Sequence, residues 1–146
     1  MNIRVMKISD YDKVYALWMS CKNMGLNNLD DSRDGIERFL KRNPTTSFVT
    51  EEANTIEGIN LSGHDGRRGY IYHMSVAENY RKRRIATKLL EQSLSALKKE
   101  GINKVALLVF NTNEIGNAFW ESQGFEIRED VAYRNKALVE IIRIDT

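Results

Sequence analysis

Four cations in a row, Arg81, Lys82, Arg83 and Arg84, stand directly before the apolar-periodic residues Ile85, Ala86, Leu89, Leu90, Leu94 and Leu97. That spacing predicts an amphipathic helix over about Arg83 to Glu100. A helix start presents unpaired backbone N–H groups and the positive end of the helix dipole, so it attracts phosphate without any special side chain. The adjoining cations turn this general anion site into one suited to a pyrophosphate. A solvated charge run, or a nucleic-acid patch, explains the same four residues as well. Against nucleic acid, Tyr80 is the only aromatic interleaved with them, so stacking platforms are missing.

Groups able to move protons are few. Tyr72 and His73 fall on a predicted strand, and an imidazole there suits a general base, acting directly or through water, although a structural histidine is the ordinary alternative. Tyr133 precedes Arg134, Asn135 and Lys136 in a turn between two predicted strands. Glu51 and Glu52 end a strand and fit a cleft wall or a solvated hairpin edge. Cys21 continues the apolar register of Val14, Leu17 and Trp18, and with no second cysteine it reads as a buried, inert thiol. Two histidines and this cysteine lack metal-ligand spacing, so no metal is expected.

The chain that must position these groups has 146 residues, 42% of them hydrophobic and 29% charged, with one proline. This is the balance of one folded domain over residues 1–146. The net charge of +2 gives no general pull toward a polyanion. No run approaches the ~20 apolar residues that cross a bilayer, and no basic-flanked apolar segment opens the chain. The expectation is a cytoplasmic protein with neither a membrane nor a nucleic acid as partner.

Residues Ile3 to Ile8 read as a strand, Asp10 as the cap of a first helix, and Arg33 to Lys41 as a second helix stopped by Pro44. Strands follow at Ser47 to Glu51, Ile56 to Ser62 and Tyr70 to Val76, joined by a polar turn and by the His64 to Gly69 turn, which predicts an antiparallel meander. After the long helix, capped by Gly101, the apolar run Val105 to Phe110 predicts a strand covered on both faces and completes a β-α-β crossover. Asn113 caps a short helix to Gln123, and last strands are expected near Phe125 to Val131 and Ala137 to Ile144. The fold class is α+β: a mixed, mostly antiparallel sheet of about seven strands with helices on both faces.

The stretch Val76 to Leu90, VAENYRKRRIATKLL, resembles the acetyl-CoA motif of the GNAT superfamily of N-acetyltransferases, whose core is Arg or Gln, any two residues, Gly, any residue, then Gly or Ala. Arg81 and Ala86 match that core. Asn113, Gly116, Trp120, Gly124 and Phe125 fall where the family has Asn, Ala, Tyr, Gly and Phe after its fifth strand. The resemblance implies a GNAT fold in which backbone amides from Lys82 to Thr87, with Arg81, Arg83, Arg84 and Ala86, hold the pyrophosphate. It implies that the strand ending at Met74 and Val76 pairs with the pantetheine arm, that strands 4 and 5 splay apart there, and that Asn113 hydrogen-bonds acetyl-CoA.

The implied activity is transfer of an acetyl group from acetyl-CoA to a primary amine by direct attack in a ternary complex. The acceptor is a small-molecule amine, or a protein amino terminus or lysine, and Asp30, Asp31 and Asp34 suit a cationic one. The catalytic candidates are His73, Tyr72 and Tyr133, and the protein is expected as a monomer or homodimer. Two positions depart from the pattern. Arg84 stands where the family has glycine, and Trp120 replaces a tyrosine able to protonate the leaving thiolate, whereas an indole N–H donates a hydrogen bond only. Trp120 is therefore read as a cofactor-packing aromatic. The alternative reading is a regulatory or remnant domain that binds CoA without turnover.

Overall fold

The computed structural model describes residues 1–81 and 83–145. Five strands form one sheet: β1 (Asn2–Val5), β2 (Phe48–Glu52), β3 (Thr55–His64), β4 (Gly69–Val76) and β5 (Val105–Leu107), side by side in that order. Pairings are antiparallel from β1 to β4, whereas β4 and β5 run parallel. The helices are α1 (Tyr11–Ser20), α2 (Arg33–Arg42), α3 (Ile85–Lys99) and α4 (Glu114–Ser122). A parallel pair needs a long crossover, and α3 supplies it.

Sequence chemistry accounts for most boundaries. Ala53 and Asn54 take positive φ, 50° and 65°, in the tight β2–β3 turn. In the β3–β4 turn the Asp65 carboxylate accepts the N–H groups of Arg67 and Arg68, both at 2.8 Å. Ser32 caps α2 by accepting the Gly35 N–H at 3.1 Å, and Gly101, with φ of 85°, follows the end of α3.

The two faces of the sheet are covered differently. Val14, Leu17 and Trp18 of α1 and Ile36 and Leu40 of α2 pack with Val49, Ile59 and Leu61 in one buried cluster. On the other face Ile85 and Leu89 of α3 pack with Phe48, with Met74 and Val76 against them. Gly58 permits that approach, since a Cβ there would lie 2.9 Å from a Leu89 methyl. Cys21 is half-buried against the first cluster, just past the end of α1 in extended backbone.

The expected seven strands reduce to five. Residues 125–145 form no strand, and Ile127, Val131, Leu138 and Ile142 are exposed. The sequence predicts strands near Phe125 to Val131 and Ala137 to Ile144, but the backbone partners near the end of this segment lie elsewhere. Asn28 N–H donates to the Ile142 carbonyl at 2.9 Å and Ile144 N–H to the Leu26 carbonyl at 3.0 Å. The chain thus closes on the loop between α1 and α2. A second correction concerns Val105 to Phe110: only Val105–Leu107 pair, and the run is half-buried or exposed, not covered on both faces.

The buried Asp145 carboxylate fixes this closure by accepting the N–H groups of Gly25 (3.0 Å) and Leu26 (2.7 Å) and pairing with Arg143 at 3.1 Å. Burial alone would raise its pKa, but the Arg143 guanidinium and the two amides prevail and hold it at about 2. Since the unfolded value is near 4, this stabilisation is complete above pH ~4 and is lost as pH falls toward 2. Asp145→Asn is expected to cost about 2 kcal/mol at pH 7. Urea titrations of both forms should show the difference shrinking from pH 4 down to pH 2.

Candidate active site

Two irregularities in β4 shape the site. Leu61 pairs with His73 and Ser62 with Ile71, so Tyr72 is an extra residue and β4 bulges there. Bulges bend a strand and re-aim its side chains. On the opposite edge, β4 pairs with β5 only through Gly69, Tyr70 and Ile71, and Tyr72–Val76 run on without a partner strand. The two strands therefore part immediately after the bulge.

A cavity of about 670 Å³ opens where they part. Tyr72, His73 and Met74 line one wall, Leu108 to Phe110 the other, and Asn113, Trp120 and Tyr133 complete it. Leu108 and Phe110 are apolar because they face this space. A second cavity, about 460 Å³, lies on the α2 side between Asp30, Asp31, Arg38, Phe39 and Arg42. Gly25, Tyr72 and His73 line both. These residues form the shared boundary.

The boundary is mostly aromatic. Tyr72 sits 4.9 Å from the Tyr70 ring and edge-on to Phe39 at 5.5 Å. Burial, and then the nearby acid Asp30 with Tyr133, pushes the Tyr72 phenol above its ordinary range; burial, with Tyr133 and Tyr72, does the same to Tyr70. Both phenols are held protonated at neutral pH and are suited to donating hydrogen bonds. His73 is 9% exposed, and its Nε2 lies 2.7 Å from Oδ1 of the buried Asp31. Trp18 meets the imidazole edge-on at 5.0 Å.

Arg81, Arg83 and Arg84, before α3, are exposed. The Arg81 Nε donates to the Val76 carbonyl at 3.3 Å, and the Arg83 guanidinium lies 5.1 Å from the centre of the Tyr80 ring. Arg84 takes φ 60° and ψ 23°, left-handed backbone, in the position just before the first helical residue. Ala86 and Thr87 fall in the first turn of α3, half-buried. Lys82 lies outside the described residues. Asn113 caps α4, its Oδ1 accepting the Gly116 N–H at 2.9 Å, while its side of the residue also borders the first cavity. Trp120 packs edge-on against Phe119 and Phe125.

Of the residues singled out in the sequence, Tyr72, His73, Met74, Asn113, Trp120 and Tyr133 thus meet at one cavity. Val76, Arg81, Arg83, Arg84, Ala86 and Thr87 cluster instead at the start of α3, and Glu51 and Glu52 line neither cavity. Glu51 pairs with Arg4 at 3.3 Å. Two features escaped the sequence reading. The Asp31–His73 contact joins residues 42 apart, and the bulge at Tyr72 has no glycine to announce it.

A parallel pair that parts beside a basic helix start defines a class. The chain belongs to the acetyltransferase (GNAT) family, whose model matches residues 11–125, and members of this family draw the acetyl group from acetyl-CoA. It is 32% identical over 140 residues to Acetyltransferase SG1711 of Sodalis glossinidius, covering 96% of this chain and 97% of that one. In fold it is similar to the PaiA N-acetyltransferase of Thermoplasma acidophilum, solved in complex with coenzyme A, with a TM-score of 0.76, 18% identity and coverage of 89% and 92%. The aminoglycoside N-acetyltransferase AAC(6')-Iy in complex with CoA gives a TM-score of 0.72, with 19% identity and coverage of 93% and 99%.

The backbone of Arg84 yields a direct expectation. Left-handed geometry costs a non-glycine residue roughly 1–2 kcal/mol, and a cation at a helix start opposes the dipole. Glycine relieves both but loses more chain entropy on folding. Arg84→Gly should therefore raise stability by up to about 1 kcal/mol, read as a higher midpoint in urea. A loss of stability would show that the Arg84 side chain makes contacts that outweigh its backbone strain.

Proposed function

We propose that the protein transfers an acetyl group from acetyl-CoA to a primary amine by direct attack in a ternary complex, working in the cytoplasm as a monomer or homodimer. The observation that carries this reading is the parting of β4 from β5 after Ile71, on the strand that leads into the basic start of α3. Family membership supports it, as do the names of the relatives. A thioester held in such a gap, next to a neutral amine, reacts by approximation, provided fixed donors meet the developing oxyanion.

In this proposal the backbone amides and cations from Arg81 to Thr87 hold the pyrophosphate, with Lys82 included on the resemblance alone. Met74 and Val76 lie on the strand that pairs with the pantetheine arm. The unpaired stretch of β4 supplies a backbone N–H near Met74 or Ser75 to the oxyanion. Asn113 hydrogen-bonds the cofactor while capping α4, and Trp120 packs against it. Tyr72, with its phenol kept protonated, and Tyr133 serve as donors; His73 serves as base. The acceptor is a small-molecule amine, or a protein amino terminus or lysine.

The reading as a CoA-binding remnant rests on Arg84 and Trp120. Arg84 occupies the left-handed backbone that glycine adopts most readily. Trp120 removes one acid, yet a thiolate whose conjugate acid has a pKa near 8.5 leaves without much help.

Acetyl-CoA should raise the melting temperature, because a ligand bound only by the folded state stabilises it by mass action. The shift should shrink with added salt as the cations are screened. No shift at millimolar acetyl-CoA would overturn the proposed function. A screen of amines read by thiol release then separates enzyme from remnant. Trp120→Phe is expected to weaken cofactor affinity or stability more than it alters the pH profile. A ~100-fold loss of rate with binding and fold intact would give Trp120 a direct catalytic role.

A further inference from the structure

Asp31 and His73 are both buried, and burying a polar pair of this kind is costly unless the pair is well bonded or does work. Asp31 is fully committed: Oδ2 accepts the Asn27 N–H at 2.8 Å, Oδ1 faces His73 Nε2 at 2.7 Å, and the Asp31 carbonyl accepts the Tyr11 hydroxyl at 2.7 Å. A carboxylate is an acceptor only, so the hydrogen of that contact belongs to Nε2. His73 Nδ1 is then the free basic nitrogen. It is buried and has no hydrogen-bond partner among the described residues. His73 lines both cavities.

We propose that Asp31 and His73 form a dyad that takes up the proton an acceptor ammonium must lose, with Asp31 as a positioning residue that fixes the imidazole tautomer. This rests on the acetyl-transfer reading above and adds to it a residue. The ammonium N–H proton passes to Nδ1, directly or through one water. The freed amine lone pair forms the C–N bond to the thioester carbonyl, and the C–S bond breaks. The amine loses its second proton to the departing sulfur, and the imidazolium returns its proton to solvent. The sum is one amide, one thiol and one released proton.

Other charged and titratable groups border this dyad. Asp30, Arg38 and Arg42 line the second cavity, Tyr70 and Tyr133 the first, and Tyr72 both, while Tyr11 reaches the Asp31 backbone from α1. Arg38 and Arg42 form no ion pair with any described residue, whereas Asp30 accepts from Asn27 at 3.0 Å.

The test follows thiol release against pH for the wild type, Asp31→Asn, His73→Gln and Tyr11→Phe, with acetyl-CoA affinity measured for each. His73→Gln should lose ~100-fold or more in kcat/KM at neutral pH and recover as pH rises to where the amine is neutral unaided. Asp31→Asn, whose amide no longer fixes the imidazole tautomer, should lower kcat ~10-fold or more with KM for the amine and cofactor affinity unchanged. Tyr11→Phe, which loosens the Asp31 loop but leaves the carboxylate, should lower stability. A kcat equal in wild type and Asp31→Asn, or a full rate in His73→Gln, overturns the dyad alone. Absence of transfer by the wild type to any amine overturns the proposed function and the dyad with it.

Discussion

The constraint on which this molecule turns is the length of one strand pairing. β4 and β5 share only Gly69–Ile71 and Val105–Leu107, after which each continues without the other. A parallel pair is ordinarily shielded inside a sheet. Here it is opened at one end, and the opening creates unpaired backbone groups, an apolar wall and a cleft at once. The bulge at Tyr72 sits where the two strands separate, turning Tyr72 and His73 toward the boundary between two cavities. The rest of the sheet, held by antiparallel pairing from β1 to β4, is the rigid frame against which that gap stays open.

The elements around the gap do separate jobs. The crossover helix α3 packs Ile85 and Leu89 on the sheet, and this burial fixes where its cationic start projects. The loop between α1 and α2 brings Leu26 into the core and Asp31 against His73, so it belongs to the packing and to the site together. Buried acid–base pairs add little to stability in general, because desolvation offsets attraction. The presence of one at the junction of two cavities calls for a functional account.

Much of the frame was legible in the sequence. The helices at Tyr11–Ser20, Arg33–Arg42 and Ile85–Lys99 and the meander β2 to β4 follow from apolar spacing, Pro44 and Gly101, which are local signals. The family was legible for the same reason: its two motifs are short and contiguous. What could not be read depends on partners distant in the chain. Leu108 to Phe110 are apolar whether they line a cleft or fill a sheet. Residues 137–144 are apolar enough for a strand, yet Ile142 and Ile144 bond to Asn28 and Leu26. Neither the Asp31–His73 contact nor the Asp145 latch has a sequence signature.

The attachment of residues 142–145 to Gly25–Asn28 also bears on the order of assembly. Its bonds join residues 114 to 120 apart, far more than the hairpin turns of β2 to β4. Loop-closure entropy grows with chain separation, so contacts of this kind form after the local ones have prepared their ends. The wall that Gly25 contributes to both cavities is then among the last parts to set, long after the sheet and α3 exist. Interactions absent from the folding barrier act mainly on the rate of unfolding. Weakening the latch would accordingly leave the chain able to fold at its usual speed while shortening the time for which each folded molecule keeps its cleft intact.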